Sequence, residues 1–209
     1  MRFKYKNKKI VCKINNGTGG KDVYYIENKK ALELAVHKIF SKDQYIALSP
    51  FYDIKNEYRA IILNNKVKLL YKKERRFIIG DGTSTLLKLI ANKFTDLKKI
   101  DLTDIPVNKI LAKDEKYYIC WKHNLGLGAI PKIVTEKNIY DSVEKLALSA
   151  YNAIGGKFVS VDIIETENEL KVLEINSGIM MESFSNQNDE NYNIAKNIYA
   201  EAVDSMFNI

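Results

Sequence analysis

The 209-residue sequence predicts an α+β protein of two lobes built on antiparallel sheets. Three observations predict it. Strand-like runs come in pairs joined by short turns, at NNGTGG (15–20), Asn64-Asn65 and Glu167-Asn168, and only antiparallel strands can be joined so tightly. Between the pairs, apolar residues change to helical spacing. Near Pro50 an apolar strand gives way to a polar connection, which divides the chain into residues 1–50 and 51–209.

The elements follow in order. KIVCKI (9–14) and VYYI (23–26) suit two short strands of a hairpin. From Asn28, a suitable cap, Ala31, Leu32, Leu34, Ala35, Ile39 and Phe40 recur at helical spacing. QYIALS reads as a buried strand ending at Pro50. EYRAIIL (57–63) and KVKLLY (66–71) flank two asparagines, which tolerate positive φ in a hairpin turn. Residues 84–93, after GDGT, form a capped helix, and 94–137 are mixed, with one strand at 117–121. A helix covers about 139–153, FVSVDIIET (158–166) and ELKVLEI (169–175) form a further hairpin, and a helix at about 189–206 closes the chain.

Composition narrows the function. At 46% hydrophobic and 28% charged, the chain has the makeup of an ordinary globular protein. Its formal charge of +7 comes from lysines scattered through every segment, which argues against a nucleic-acid partner. No apolar run approaches the roughly 20 residues of a membrane span, and MRFKYKNK is too polar to open a signal peptide. Cys12 and Cys120 are far apart without CxxC spacing, as expected of reduced thiols in a cytoplasmic protein.

Three constellations carry chemistry. KINNGTGGKD (13–22) joins two strands with three glycines, so backbone N–H groups can approach an anion, and Lys13 can add charge; a plain turn is the alternative. In SPFYDIKNEYR (49–59), Glu57 and Arg59 share one side of a strand, where a carboxylate can accept ribose hydroxyls and a guanidinium can meet a phosphate or carboxylate. An exposed ion pair is the alternative there. Asp162 lies inside an otherwise apolar strand and needs a partner or a cation. If the hairpin about Glu167-Asn168 pairs residues summing to about 335 or 336, Asp162 faces Leu173 or Glu174. Asp162, Glu174 and Asn176 then form a hard oxygen set suited to Mg²⁺, and one residue of slip would break it. KKERR (72–76) is an anion site or a solvated face; His123 has no evident partner, and no nucleophile–base arrangement stands out.

Taken together, these residues resemble the ATP-grasp superfamily, nearest its glutamate-ligase, cyanophycin-synthetase and glutathione-synthetase-like branch. VCKINNGTGGKDVYYI resembles the phosphate-covering glycine loop, IALSPFY the hinge strand, NEYRAIIL and FIIGDGTSTL the segments after it, and NLGLGA an Asn-Leu-rich loop. VSVDIIE followed by VLEINSG is the most specific likeness. The resemblance implies an ATP-grasp fold, two α+β lobes with antiparallel sheets clasping ATP. The glycine-loop lobe is residues 1–50, and the metal site lies in 51–209. Lys13, Gly17, Thr18, Gly19 and Gly20 would hold phosphates, Pro50 and Tyr52 would meet adenine through the backbone, and Glu57 would bind ribose. Asp162, Glu174 and Asn176 would ligate two Mg²⁺ ions, with Mn²⁺ as a substitute. Arg59, Arg75, Arg76 and Asn124 would act on the acceptor side, beside Ser177 and Gly178. The implied chemistry is phosphorylation of a small-molecule or peptide carboxylate, then displacement of phosphate by an amine to give an amide. Family members usually carry a further domain before the glycine-loop strand, and about eight residues precede it here. The rival expectation is therefore a non-catalytic ATP-binding module, or a subunit completed by another copy or by a partner domain.

Overall fold

The computed structural model describes residues 9–17, 19–95, 97, 100–103 and 105–207. The chain divides into two compact units, the first ending at Asp53 and the second beginning at Ile54. No helix among the described residues is long and apolar enough to cross a membrane.

The first unit contains β1 (Ile10–Ile14), β2 (Val23–Ile26), α1 (Lys29–Phe40) and β3 (Ile46–Pro50), with the sheet order β2-β1-β3. Strand periodicity sends Ile10 and Cys12 to one face, where they pack with Ala35 and Ile39 of α1. The side chain of Asn28 caps α1 by accepting the Ala31 amide at 2.9 Å. The strand ending at Pro50, expected to be buried, lies at the sheet edge with one face open. None of its residues is buried, and Leu48 and Pro50 are exposed although they pair with Cys12 and Ile10.

The second unit is built on β4 (Asn56–Leu63), β5 (Lys66–Glu74), β8 (Ile130–Ile133), β9 (Phe158–Glu165) and β10 (Leu170–Asn176), ordered β10-β9-β4-β5-β8 and antiparallel throughout. Asn64 and Asn65 turn the β4–β5 hairpin at φ 49° and 61°. Helix α3 (Lys137–Ile154) places Val143, Ala147 and Tyr151 against Ala60, Ile62, Val161 and Ile163 on the back face. Each large apolar side chain buried there contributes about 1.5–3 kcal/mol. On the front face, α4 (Glu182–Ser185) and α5 (Asp189–Phe207) cover Ile61, Leu69 and Tyr71 with Phe184, Ala195 and Ile198. A small ribbon, β6 (Phe77–Ile79) with β7 (Lys116–Tyr118), packs on α2 (Leu86–Lys93) around Ile78, Leu86, Ile90 and Leu111. The strand expected at 117–121 is thus shorter and begins one residue earlier, and β8 was not foreseen. Pro131 argues against a strand in a sequence, yet it is tolerated because β8 is an edge.

Candidate functional site

The front face of the five-stranded sheet is half covered and half polar. Period-2 geometry puts Glu57 and Arg59 of β4, Tyr71 and Lys73 of β5, and Asp162 of β9 on this one face. Arg59 lies directly opposite Asp162 and holds it with two hydrogen bonds, Nε to Oδ1 and Nη2 to Oδ2, both 2.6 Å. The Lys73 ammonium bridges Asp162 Oδ2 at 2.8 Å and Glu57 Oε1 at 2.6 Å. Glu57, Lys73 and Asp162 are 7%, 5% and 1% exposed, so the four charges form one buried chain. The ion pairing anticipated as an alternative does run between strands, but it is buried rather than exposed: Arg59 holds Asp162, and Lys73 holds both Glu57 and Asp162. Burial alone would raise the Asp162 carboxyl, but the Arg59 hydrogen bonds and the Lys73 and Arg59 charges hold it below its ordinary range. Glu57 goes the other way, because its burial outweighs Lys73. Burial also pushes the Tyr71 hydroxyl, beside the Arg59 guanidinium, up to about 12.

Edge strand β10 completes the face. Leu170 to Val172 pair with β9 in one register, a bulge falls at Leu173, and Glu174 then lies opposite Asp162 with Asn176 opposite Ser160. The bulge lets both sums anticipated from the sequence occur in one hairpin, and it turns Glu174 and Asn176 toward Asp162 rather than toward the back face. The Asn176 amide donates to Glu174 Oε1 at 3.1 Å, and Glu174 is exposed. The three oxygen-bearing side chains therefore share one face, and the two carboxylates are cross-strand neighbours. Among the described residues, no group of three or more His, Cys, Asp or Glu side chains could hold a metal ion. Asp162, Glu174 and Asn176 amount to two carboxylates and an amide. Asp162 accepts three hydrogen bonds, and a carboxylate has about four lone-pair sites. One remains on Oδ1, beside the open Glu174.

The chain is similar to known proteins. Residues 120–202, which carry Asp162, Glu174 and Asn176, match the family model of the RimK-like ATP-grasp domain. A D-alanine–D-alanine ligase from Bacillus anthracis superposes with a TM-score of 0.53 over 83% of this chain and 45% of its own, at 15% identity, and shows the same fold. The chain is thus similar to ATP-grasp proteins, by sequence over residues 120–202 and by fold over most of its length. Among curated relatives, the glutathione biosynthesis bifunctional protein GshAB of Enterococcus faecalis is 25% identical over 81% of this chain and 25% of its own length. Cyanophycin synthetase of Synechocystis is 25% identical over 95% of this chain and 26% of its own. The chain thus spans about a quarter of the length of these relatives.

Of the residues expected on the acceptor side, Arg75 and Arg76 lie at the β5–β6 junction. The Arg75 guanidinium stacks 4.0 Å over Tyr118, and Arg76 lies 5.0 Å over Phe94. Arg75 Nε and Arg76 Nε and Nη1 are buried without a hydrogen-bond partner. Asn124 caps a 3₁₀ turn at 125–127 by accepting the Leu127 amide at 3.1 Å. The turn ends at Gly128 with φ 94°, and a Cβ there would come within 2.9 Å of Arg76 Cζ. The structure therefore joins Arg76 to the Asn-Leu-rich loop through the absence of a side chain.

The sequence missed Lys73 and undervalued His123. Lys73 is hidden in a basic run, and the signal was its period-2 relation to Tyr71. His123 Nδ1 lies 2.9 Å from the Lys73 carbonyl oxygen, and its ring is buried. A carbonyl only accepts, so Nδ1 carries the proton. Burial pushes the His123 pKa down.

In the first unit, Lys13 projects from the face of β1 opposite Cys12, among Val23 and Ala47, with no ion pair to another described residue. Gly19 and Gly20 adopt φ 67° and 69° in the turn after it, Gly17 packs on Ile14, and Thr18 lies outside the described residues. Pro50 ends β3, and Tyr52 is 37% exposed just beyond it.

Proposed function

We infer that this chain is the nucleotide-binding, bond-forming part of an ATP- and Mg²⁺-dependent carboxylate–amine ligase that works through an acyl phosphate. The observation that carries the reading is the opposition of Asp162 and Glu174, with Asn176 beside them, on the polar half of an ATP-grasp sheet. Asp162, Glu174 and Asn176 would hold Mg²⁺, as two ions or with Mn²⁺ in its place, and the metal would neutralise phosphate charge. Arg59 and Lys73 fix the Asp162 carboxylate in one orientation, so its open lone pair is positioned before any ligand arrives. Glu57 Oε1 is taken by Lys73, which leaves Oε2 for ribose hydroxyls. The unpartnered nitrogens of Arg75 and Arg76 would accept the acceptor carboxylate or the transferred phosphoryl group, and Asn124 would set the loop around them. Lys13, the backbone of Gly17 to Gly20 and the strand end at Pro50 to Tyr52 would serve phosphate and adenine. The relatives named as a ligase, a synthetase and a glutathione biosynthesis protein support amide-forming chemistry.

One observation favours a second reading, a nucleotide-binding module without turnover. Asp162 is already satisfied by Arg59 and Lys73, so its presence is accounted for by folding alone. MgATP should raise the melting temperature of the chain, and Asp162→Ala with Glu174→Ala should erase the shift; no shift in the parent chain would discard both readings. Phosphate release measured against pools of amino acids and short peptides then separates them, since silence across every pool leaves the module.

A further inference from the structure

The β6–β7 ribbon has an inner and an outer face. Ile78 and Tyr117 point inward to the α2 core, and Phe77, Ile79, Lys116 and Tyr118 point outward. Ile79 and Tyr118 are 42% and 40% exposed, so no described residue covers this face. It is ringed by cations. Lys116 Nζ lies 3.9 Å and Lys93 Nζ 4.4 Å from the Phe77 ring centroid, while Arg75 and Lys116 lie 4.0 and 4.8 Å from that of Tyr118. None of the three cations has an ion pair with a described residue, and Glu74, whose charge Lys116 feels, is already held by Lys132 at 2.8 Å.

We propose that this outer face docks an acidic peptide segment, its Asp and Glu side chains meeting Lys93 and Lys116 while Ile79 and the aromatic ring edges take its apolar atoms. Charge complementarity selects the occupant: Lys93, which donates to the Phe77 carbonyl oxygen at 2.9 Å, and Lys116 have no ion pair with a described residue and flank an apolar strip. The rings argue against nucleic acid. Base stacking needs a free π-face, and here a base would have to displace an ammonium or guanidinium group already seated over the ring. The cations offer charge, and carboxylates can take it without unseating them. This docking needs neither nucleotide nor metal, so it stands or falls apart from the ligase reading.

The test is fluorescence anisotropy of the whole chain, without nucleotide, using fluorescein-labelled hexaglutamate, hexaglutamine and an oligothymidylate of equal charge. Hexaglutamate should bind saturably and hexaglutamine should not. Lys116→Glu should weaken hexaglutamate by about ten-fold or more, whereas Lys145→Glu, the same charge change on the exposed side of α3, should leave it within about two-fold. If Lys116→Glu fails to fold by circular dichroism, Lys116→Gln with Lys93→Gln is read in its place with the same expected direction. Absence of saturable hexaglutamate binding, equal weakening by Lys145→Glu, or tighter binding of the oligothymidylate through Lys116 would each overturn the proposal.

Discussion

Asp162 and Glu174 face each other, yet they depend on their surroundings in opposite ways. Asp162 is buried beneath two cations; truncating it leaves Arg59 without its counter-ion and Lys73 with Glu57 alone, so Asp162→Ala should destabilise the fold by about 3–5 kcal/mol in urea unfolding. Glu174 is exposed and, among the described residues, accepts only from Asn176, so Glu174→Ala should change stability by no more than about 0.5 kcal/mol while abolishing the MgATP-induced thermal shift. A Glu174→Ala chain that still shows the full shift would move the metal elsewhere. Acid should act on the same cluster in two stages. His123 has a depressed pKa, so it contributes stability that is present above its ordinary 6.5 and is lost as the pH falls below that value. Asp162 is also depressed, and its contribution is lost only below 3.8, whereas Glu57, shifted upward, adds stability as the pH falls to 4.5, before that loss begins. His123→Gln should remove the first stage of an acid-unfolding profile and leave the second. Of these residues, Asp162 was legible in the sequence because a carboxylate in an apolar strand demands a partner. Its partners were only half legible: Arg59 was noticed for its own sake, and Lys73 was masked by its basic neighbours.

At the scale of elements, the site depends on two bulges. In the β4–β5 hairpin the register shifts at Lys68, and in β9–β10 at Leu173. Without the first, regular pairing from Asn64-Asn65 would place Lys72 rather than Lys73 across from Glu57. Without the second, Leu173 would meet Asp162 and Glu174 would face α3. The hairpins themselves were readable from turn residues and alternation, but a one-residue bulge leaves no mark in either, and that is why the face could be guessed but not fixed. Deleting Leu173 removes the extra residue and lets Glu174 continue directly from Val172 across from Asp162, so MgATP should still raise the melting temperature. The straightened strand is at the sheet edge, where bulges discourage edge-to-edge pairing. Sedimentation velocity should therefore show concentration-dependent association in the deletion variant that the parent lacks.

At the scale of the whole molecule, each compact unit has its own core, around Cys12 and Ile39 in the first and around Ile62, Phe184 and Ile90 in the second. The second unit contains the complete polar face, so a chain beginning at Ile54 should unfold cooperatively and retain the pH stages of His123 and Asp162. Loss of cooperativity in that fragment would show that the second unit leans on the first for its folding. The α+β class was legible because hairpins and helical periods alternate along the chain. Strands β6 and β8 were not, since three- and four-residue strands, one with a proline, give too short a pattern to read.

The alternation of Glu57, Lys73, Asp162 and Arg59 leaves those four groups electrically balanced, and Glu174 tips the ledge negative. A triphosphate approaching this ledge meets no surplus of positive charge and needs an escort of its own. On the function proposed above, chelating divalent ions should therefore weaken ATP far more than adenosine in calorimetric titration, so that dissolved magnesium as well as nucleotide sets occupancy.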